Sequence, residues 1–165
     1  MIDDGLGPHA PGEEQVPHAA DLVKARLTFL VLLTTLVGFY VGAPGPVSYT
    51  LMFHTVFGTA LVAAGAAALN QWLERELDSR MRRTQDRPLP SGRLAPASAL
   101  GLGFALAGLS WITLVVFANP LAAAIGLASI FFYAIVYTVW LKRRTPQNIV
   151  IGGAAGASAP LIAWA

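Results

Sequence analysis

The amino-acid sequence predicts an all-α, polytopic membrane protein. Of its 165 residues, 55% are hydrophobic and 12% are charged, whereas a soluble domain usually carries about 25% charged residues. The mean hydropathy is +0.59, and three stretches contain no Asp, Glu, Lys or Arg: 27–73, 94–141 and 145–165. Helices that are apolar on all sides must be buried in protein or lipid, and a soluble chain of this length cannot bury several of them. The lack of Cys also excludes a disulfide scaffold and a cysteine-based metal or redox site.

The uncharged stretches divide into five predicted membrane spans. A spanning helix needs about 20 predominantly apolar residues, and each of the first two stretches is long enough for two spans. Turn-forming residues stand near the middle of both, at 44–46 (Pro-Gly-Pro) and at 119–120 (Asn-Pro). The predicted spans are 22–41, 51–69, 96–118, 121–141 and 149–165.

The basic residues predict the orientation of these spans. All eleven Lys and Arg residues fall within 24–26, 75–93 and 142–144, which the five-span arrangement places on one side of the membrane. Short basic loops face the cytoplasm. We therefore expect a cytoplasmic N-terminus, and the bacterial inner membrane is the simplest location.

The two ends of the chain differ from the spans between them. Residues 1–20 are rich in Gly, Pro, Asp, Glu and His, which predicts a disordered cytoplasmic tail ahead of a membrane domain over 21–165. Asp3 and Asp4 stand where a signal peptide would have basic residues. The last apolar run reaches Ala165 without a polar flank, so we expect the sequence to be the N-terminal part of a longer protein.

A cluster of polar residues follows the second span. If the helix continues, Asn70, Glu74 and Asp78 lie at positions i, i+4 and i+8 and share one face, whereas Glu76 points elsewhere. Oxygen donors without Cys or His suit a hard cation such as Mg²⁺, which proteins usually hold with one or two carboxylates plus substrate phosphates. The arginines of 82–87 offer forked donors for phosphate. The pattern favours a metal–diphosphate site at a membrane surface.

The alternative for this cluster is a solvated helix end. In that interpretation Glu74 and Asp78 pair with Arg75, Arg80 or Arg82, and the arginines only set the topology. Similarly, His54 lies sixteen residues before Asn70, about 24 Å along a helix, and we interpret it as a structural histidine rather than a heme ligand.

The polar cluster resembles a known motif. Asn70-x-x-x-Glu74-x-x-x-Asp78 is similar to the first N-x-x-x-D-x-x-x-D motif of the UbiA superfamily of intramembrane prenyltransferases. Segments 81–93 and 137–156 resemble the heme-farnesylating branch of that superfamily, and the resemblance covers 22–165. Glu74 replaces the usual Asp, and the second aspartate-rich motif of the superfamily does not occur in the chain, which agrees with the expectation of a longer protein.

The resemblance implies a reaction and a set of site residues. The reaction is transfer of a farnesyl group from farnesyl diphosphate to a vinyl group of heme b, which gives heme O for terminal oxidases. Asn70, Glu74 and Asp78 would be the catalytic, Mg²⁺-binding residues. The candidate diphosphate-binding residues are Arg83, Arg87 and Lys142, and the candidates for stabilising an allylic cation are Tyr133 and Tyr137.

Simpler roles remain open for several of these residues. Lys142 is equally explained as a topology-setting anchor, and the tyrosines as packing residues. The expected partners are farnesyl diphosphate, heme b and the lipid bilayer, with heme-synthesis or oxidase-assembly proteins as further candidates and no nucleic acid.

Two alternatives to this function also remain. A related prenyltransferase would use a quinone-precursor or chlorophyll-like acceptor, and residues near the metal site do not distinguish these acceptors. A transporter or a membrane assembly factor belongs to a different class. A transporter would require ionisable residues at mid-span or paired broken helices, whereas the charged residues here lie at or beyond the span ends.

Overall fold

All regular structure in the described part of the chain is helical. The computed structural model describes residues 19–82, 84, 87–141 and 148–165. The tail predicted over 1–20 thus lies almost entirely outside the described residues. The elements in chain order are α1 (Ala19–Gly42), α2 (Tyr49–Asp78), α3 (Pro96–Phe117), α4 (Pro120–Phe131), a π-helix (Phe132–Leu141) and α5 (Asn148–Trp164).

Each predicted span corresponds to one helical segment. Among the described residues, three helices are long and apolar enough to cross a membrane, namely α2, α3 and the continuous helix over 120–140, and a shorter apolar helix covers 28–42. The prediction of an all-α, polytopic membrane protein is confirmed. The fourth span differs from expectation in one respect, because it changes from α-helix to π-helix at Phe132.

The helices are interrupted at the two turns that the sequence predicts, and a polar side chain caps the helix that begins after each turn. Ser48 caps α2, with its hydroxyl accepting a hydrogen bond from the Leu51 N–H. Asn119 caps α4, with Oδ1 accepting from the Ala122 N–H at 2.8 Å, and Pro120 occupies the first helical position. These caps divide the two long uncharged stretches into antiparallel pairs of helices.

Helix α2 forms the largest interface of the bundle, against α3, and it also contacts the other helices. Among the described residues, buried apolar side chains form a core cluster, and large apolar side chains on the outer faces are exposed, as expected for a lipid-facing surface. The core cluster consists of Val62, Leu114, Ala122, Ala123, Ile130 and Ile162.

His54 lies in the first half of α2, away from the acidic end of that helix. Its Nδ1 lies 2.7 Å from the Thr50 carbonyl oxygen, and its ring stacks on Phe117 of α3 with 4.3 Å between the ring centroids. These contacts agree with the interpretation of His54 as a structural residue.

The α2–α3 interface depends on a glycine close to the polar cluster. A Cβ atom on Gly103 would lie 2.7 Å from Leu69 Cδ2 and 3.4 Å from the Leu69 backbone N, whereas a Cβ on Gly101 would meet nothing within 4 Å. Small residues let membrane helices approach closely. We expect Gly103→Val to lower the free energy of unfolding by about 1–3 kcal/mol, measured by denaturation in detergent micelles. Gly101→Val is the matched control, and equal destabilisation by the two variants would contradict this packing role.

Candidate active site

Two carboxylates are buried at the acidic end of α2. Glu74 and Asp78 lie one turn apart near the end of α2, and both are among the buried residues of this helix. Glu74 is 6% exposed and Asp78 is 4% exposed, whereas the Glu76 side chain is 81% exposed. The helical geometry is the predicted one, since the helix does continue to Asp78 and Glu76 does point away.

Asn70 connects Glu74 to the fourth span. Its Nδ2 donates a hydrogen bond to Glu74 Oε2 at 3.1 Å, and its Oδ1 accepts one from the Thr138 hydroxyl at 2.7 Å. The Thr138 hydroxyl also lies 2.8 Å from the Tyr133 carbonyl oxygen, five residues earlier in the π-helix. The amide of Asn70 is therefore held between a carboxylate on its own helix and a hydroxyl on another.

Asp78 pairs with an arginine from the following loop. Arg87 donates to Asp78 Oδ2 at 2.5 Å, and both side chains are largely buried, at 19% and 6% exposure. Thr84 closes this corner, because its buried hydroxyl donates to the Asp78 carbonyl oxygen at 2.8 Å, which also accepts from the Met81 N–H. The loop thus folds back over the end of α2.

For Asp78, the geometry differs from the solvated-helix-end alternative. Arg75 contacts the ring and the carbonyl oxygen of Trp72 and lies 3.8 Å from the exposed Glu76. The partner of Asp78 is Arg87, which is not one of the arginines considered in that alternative. An ion pair does form, but it is buried rather than solvated.

The two predicted tyrosines lie side by side next to the acidic face. Tyr133 and Tyr137 stack with 5.3 Å between ring centroids and 16° between ring planes. The Tyr133 carbonyl oxygen lies 2.8 Å from the same Thr138 hydroxyl that bonds to Asn70. Tyr137 packs over Gly152 of α5, where a Cβ atom would lie 2.6 Å from the ring. The tyrosine pair thus borders the site at the junction of α2, the π-helix and α5.

The structure brings six of the predicted site residues into one region. Arg83 and Lys142 lie outside the described residues. Thr84 and Thr138 were not predicted as site residues, although both stand inside the segments that carry the family resemblance. The six residues brought together are Asn70, Glu74, Asp78, Arg87, Tyr133 and Tyr137.

The donor set fits a hard divalent cation that shares its coordination with phosphate. Within the described residues, no group of three or more His, Cys, Asp or Glu side chains is placed to hold a metal ion by itself. Mg²⁺ is usually held by one or two carboxylates together with substrate phosphates. Glu74 and Asp78 supply two carboxylates one turn apart, and the Asn70 amide oxygen has a second lone pair beyond the one that Thr138 uses.

The chain is similar over most of its length to curated proteins that carry one name. It is 49% identical to the "Protoheme IX farnesyltransferase" of Acidiphilium cryptum, an alignment that covers 87% of this chain and 45% of that protein. It is 48% identical to the proteins of the same name from Paracoccus denitrificans, over 94% of this chain and 50% of that protein, and from Roseobacter denitrificans, over 99% and 53%. The chain therefore spans about half the length of the curated relatives it matches.

No solved structure matches the chain significantly. The family comparison covers the described site and nearly all of the helical region. Residues 31–165 match the UbiA prenyltransferase family, and this range contains Asn70, Glu74, Asp78 and Arg87. The chain belongs to the UbiA prenyltransferase family.

Proposed function

We propose that this chain carries part of the diphosphate-binding site of an intramembrane prenyltransferase. This enzyme would transfer a farnesyl group from farnesyl diphosphate to a vinyl group of heme b, giving heme O. The observation that carries the proposal is the buried, oxygen-rich face formed by Asn70, Glu74 and Asp78 beside Arg87. This face lies in a UbiA-family chain about half identical in sequence to proteins named protoheme IX farnesyltransferase.

The proposed metal-binding residues are Asn70, Glu74 and Asp78, with Mg²⁺ as the cation. When bound, Mg²⁺ supplies Lewis-acid neutralisation of the diphosphate charge. Both carboxylates are desolvated on one helix face, and hydrogen bonds from Asn70 to Glu74 and from Arg87 to Asp78 hold them in place before a cation binds. Preorganisation of this kind is the main source of electrostatic stabilisation in active sites.

Arg87 has the chemistry to assist departure of the diphosphate. Its guanidinium can donate several hydrogen bonds, and one of them goes to Asp78. The other N–H groups of the guanidinium are of the kind that binds phosphate oxygens, which arginine recognises well. Arg83 and Lys142 are proposed as additional diphosphate contacts on the sequence pattern alone.

The tyrosine pair has the chemistry to stabilise the farnesyl group as its bond to diphosphate breaks. The carbon left behind is an allylic cation, and aromatic faces attract cations. Tyr133 and Tyr137 stack beside the acidic face, so a chain whose diphosphate lies near Glu74 would pass close to these rings. The surrounding apolar helices would exclude water, which would otherwise capture the cation.

An activity assay with defined acceptors tests the proposal. Membranes containing the full-length protein should convert heme b, farnesyl diphosphate and water to heme O and diphosphate when Mg²⁺ is present, with the products identified by mass spectrometry. Water is a reactant because the cation left on the former vinyl group after farnesyl addition must be quenched by a nucleophile. Membranes without the protein are the control. Prenylation of a phenolic quinone precursor or a chlorophyll-like acceptor, with none of heme b, would contradict the heme assignment while supporting the prenyltransferase class.

The multi-pass membrane location follows from the apolar helices, and we propose that the membrane is the bacterial inner membrane with the N-terminus and the Arg-rich loop in the cytoplasm. We also propose that the chain consists of a tail over 1–20 and a membrane domain over 21–165, with heme-synthesis and oxidase-assembly proteins as candidate partners.

The loop that holds Arg87 provides a topology test. Ser91 is exposed in this loop, and the 165 residues contain no Cys. We expect a Ser91→Cys variant to react with a membrane-impermeant maleimide only after the cytoplasmic side is opened. Gly45→Cys, in the loop between α1 and α2 where a Cβ meets nothing within 4 Å, should react from the outside of intact cells. The reverse labelling pattern would refute the proposed orientation.

A further inference from the structure

Thr138 makes a contact that sets it apart from other buried threonines of the bundle. The hydroxyls of Thr35, Thr55 and Thr59 each bond to the carbonyl oxygen four residues earlier in their own helix, the usual way of satisfying a buried hydroxyl within a helix. The Thr138 hydroxyl lies near a carbonyl of its own helix too, but it also reaches a side chain on a different helix, that of Asn70, which lies 68 residues away in sequence. Thr138 is 4% exposed, so water does not readily replace this bond.

The hydrogen bonds around Asn70 determine which way its amide points. The amide nitrogen of Asn70 faces Glu74, because it donates a hydrogen bond to the carboxyl oxygen Oε2. The amide oxygen then faces Thr138, whose hydroxyl must act as the donor. Loss of the Thr138 hydroxyl would remove the hydrogen bond to the Asn70 oxygen and leave the amide held on one side only, by Glu74.

The π-helix brings the Thr138 hydroxyl to this position. Thr138 lies in the middle of the segment over Phe132–Leu141, and its hydroxyl also lies 2.8 Å from the Tyr133 carbonyl oxygen. Since a hydroxyl has one proton, the two acceptors share it. π-Helical segments are rare and often occur at functional sites, and here the segment carries both the tyrosine pair and the residue that contacts Asn70.

We propose that Thr138 is a positioning residue of the metal–diphosphate site: its hydroxyl fixes the Asn70 amide, and through that amide the Glu74 carboxylate, in the orientation that receives the cation. This inference rests on the proposed function. Thr138 itself does not need to touch the cation or the farnesyl chain. Partners that orient metal ligands in this way typically contribute 10–100-fold to metal affinity or activity.

Binding in the absence of turnover tests this role. The probe is farnesyl S-thiolodiphosphate, a non-reactive analogue, titrated into the purified full-length protein in detergent with either Mg²⁺ or EDTA. We expect Thr138→Val to weaken binding by about 10-fold or more in Mg²⁺ and to leave the weaker binding in EDTA unchanged. Thr138→Ser keeps the hydroxyl and should restore binding close to that of the unaltered protein.

Two further variants separate positioning from general stability. Thr59→Val removes a buried hydroxyl of the same kind that bonds only within α2, and it should bind the analogue like the unaltered protein. Because Thr138 acts through Asn70, Asn70→Ala combined with Thr138→Val should bind no more weakly than Asn70→Ala alone. Thermal unfolding of every variant identifies any that have lost the fold.

The outcomes distinguish this inference from the proposed function. If the unaltered protein binds the analogue in a Mg²⁺-dependent way and Thr138→Val binds equally well, the positioning role is wrong and the proposed function stands. Equal weakening by Thr138→Val in Mg²⁺ and in EDTA, failure of Thr138→Ser to restore binding, or additive effects of the two substitutions would each overturn the inference as well. If the unaltered protein shows no Mg²⁺-dependent binding, the proposed metal–diphosphate site itself fails.

Discussion

Replacing Glu74 with Gln, or Asp78 with Asn, should lower the rate of farnesyl transfer by about 10²–10³-fold, which corresponds to about 2.7–4 kcal/mol. Each substitution keeps the size of the side chain and removes one charge from a buried position. The diphosphate leaving group would then lose part of the charge compensation that the cation site provides. Initial rates of heme O formation in membranes, at saturating heme b and farnesyl diphosphate, measure the effect.

Glu76 is the matched control for this prediction. It stands between the two proposed ligands on the same helix, but its side chain is 81% exposed and lies 3.8 Å from Arg75. Glu76→Gln should therefore change the rate by less than about threefold, since exposed ion pairs contribute little. If Glu76→Gln lowered the rate as much as Asp78→Asn does, the rate would not depend specifically on the buried carboxylates of α2.

The helices were predictable from the sequence because a membrane imposes simple rules. Uncharged runs of about 20 residues identify spans, and the caps at Ser48 and Asn119 follow known preferences. The change from α-helix to π-helix at Phe132 was not predictable. Phe132–Leu141 contains no charged residue, Gly or Pro, so its sequence carries no signal for a change of hydrogen-bonding register.

The candidate site was predictable only where its geometry is local. Helical periodicity places Asn70, Glu74 and Asp78 together and directs Glu76 outward, because these positions lie on one helix. The contact between Thr138 and Asn70 joins residues 68 positions apart, and a single sequence contains no signal for such pairing. The choice of Arg87 as the partner of Asp78 depends on how the loop folds, which spacing along a helix cannot predict.

The pair formed by Asp78 and Arg87 should be strongly coupled in stability. Its side chains are 6% and 19% exposed, and removing one partner of a buried ion pair typically costs about 3–5 kcal/mol because the other charge remains buried and unpaired. We therefore expect Asp78→Asn and Arg87→Met each to lower the free energy of unfolding by about this amount, measured by denaturant titration in mixed micelles. The double variant should be substantially more stable than the sum of the single effects predicts.

The exposed pair of Arg75 and Glu76 supplies the comparison for this double-mutant cycle. Their closest atoms are 3.8 Å apart at 35% and 81% exposure, so the coupling between Arg75→Met and Glu76→Gln should be below about 1 kcal/mol. Additive effects of Asp78→Asn and Arg87→Met would contradict the buried pairing. The double variant should regain stability but not activity, because in the proposed reaction both charges act on the metal–diphosphate group. Recovery of farnesyl transfer in that variant would mean that the pair serves only to close the loop over α2.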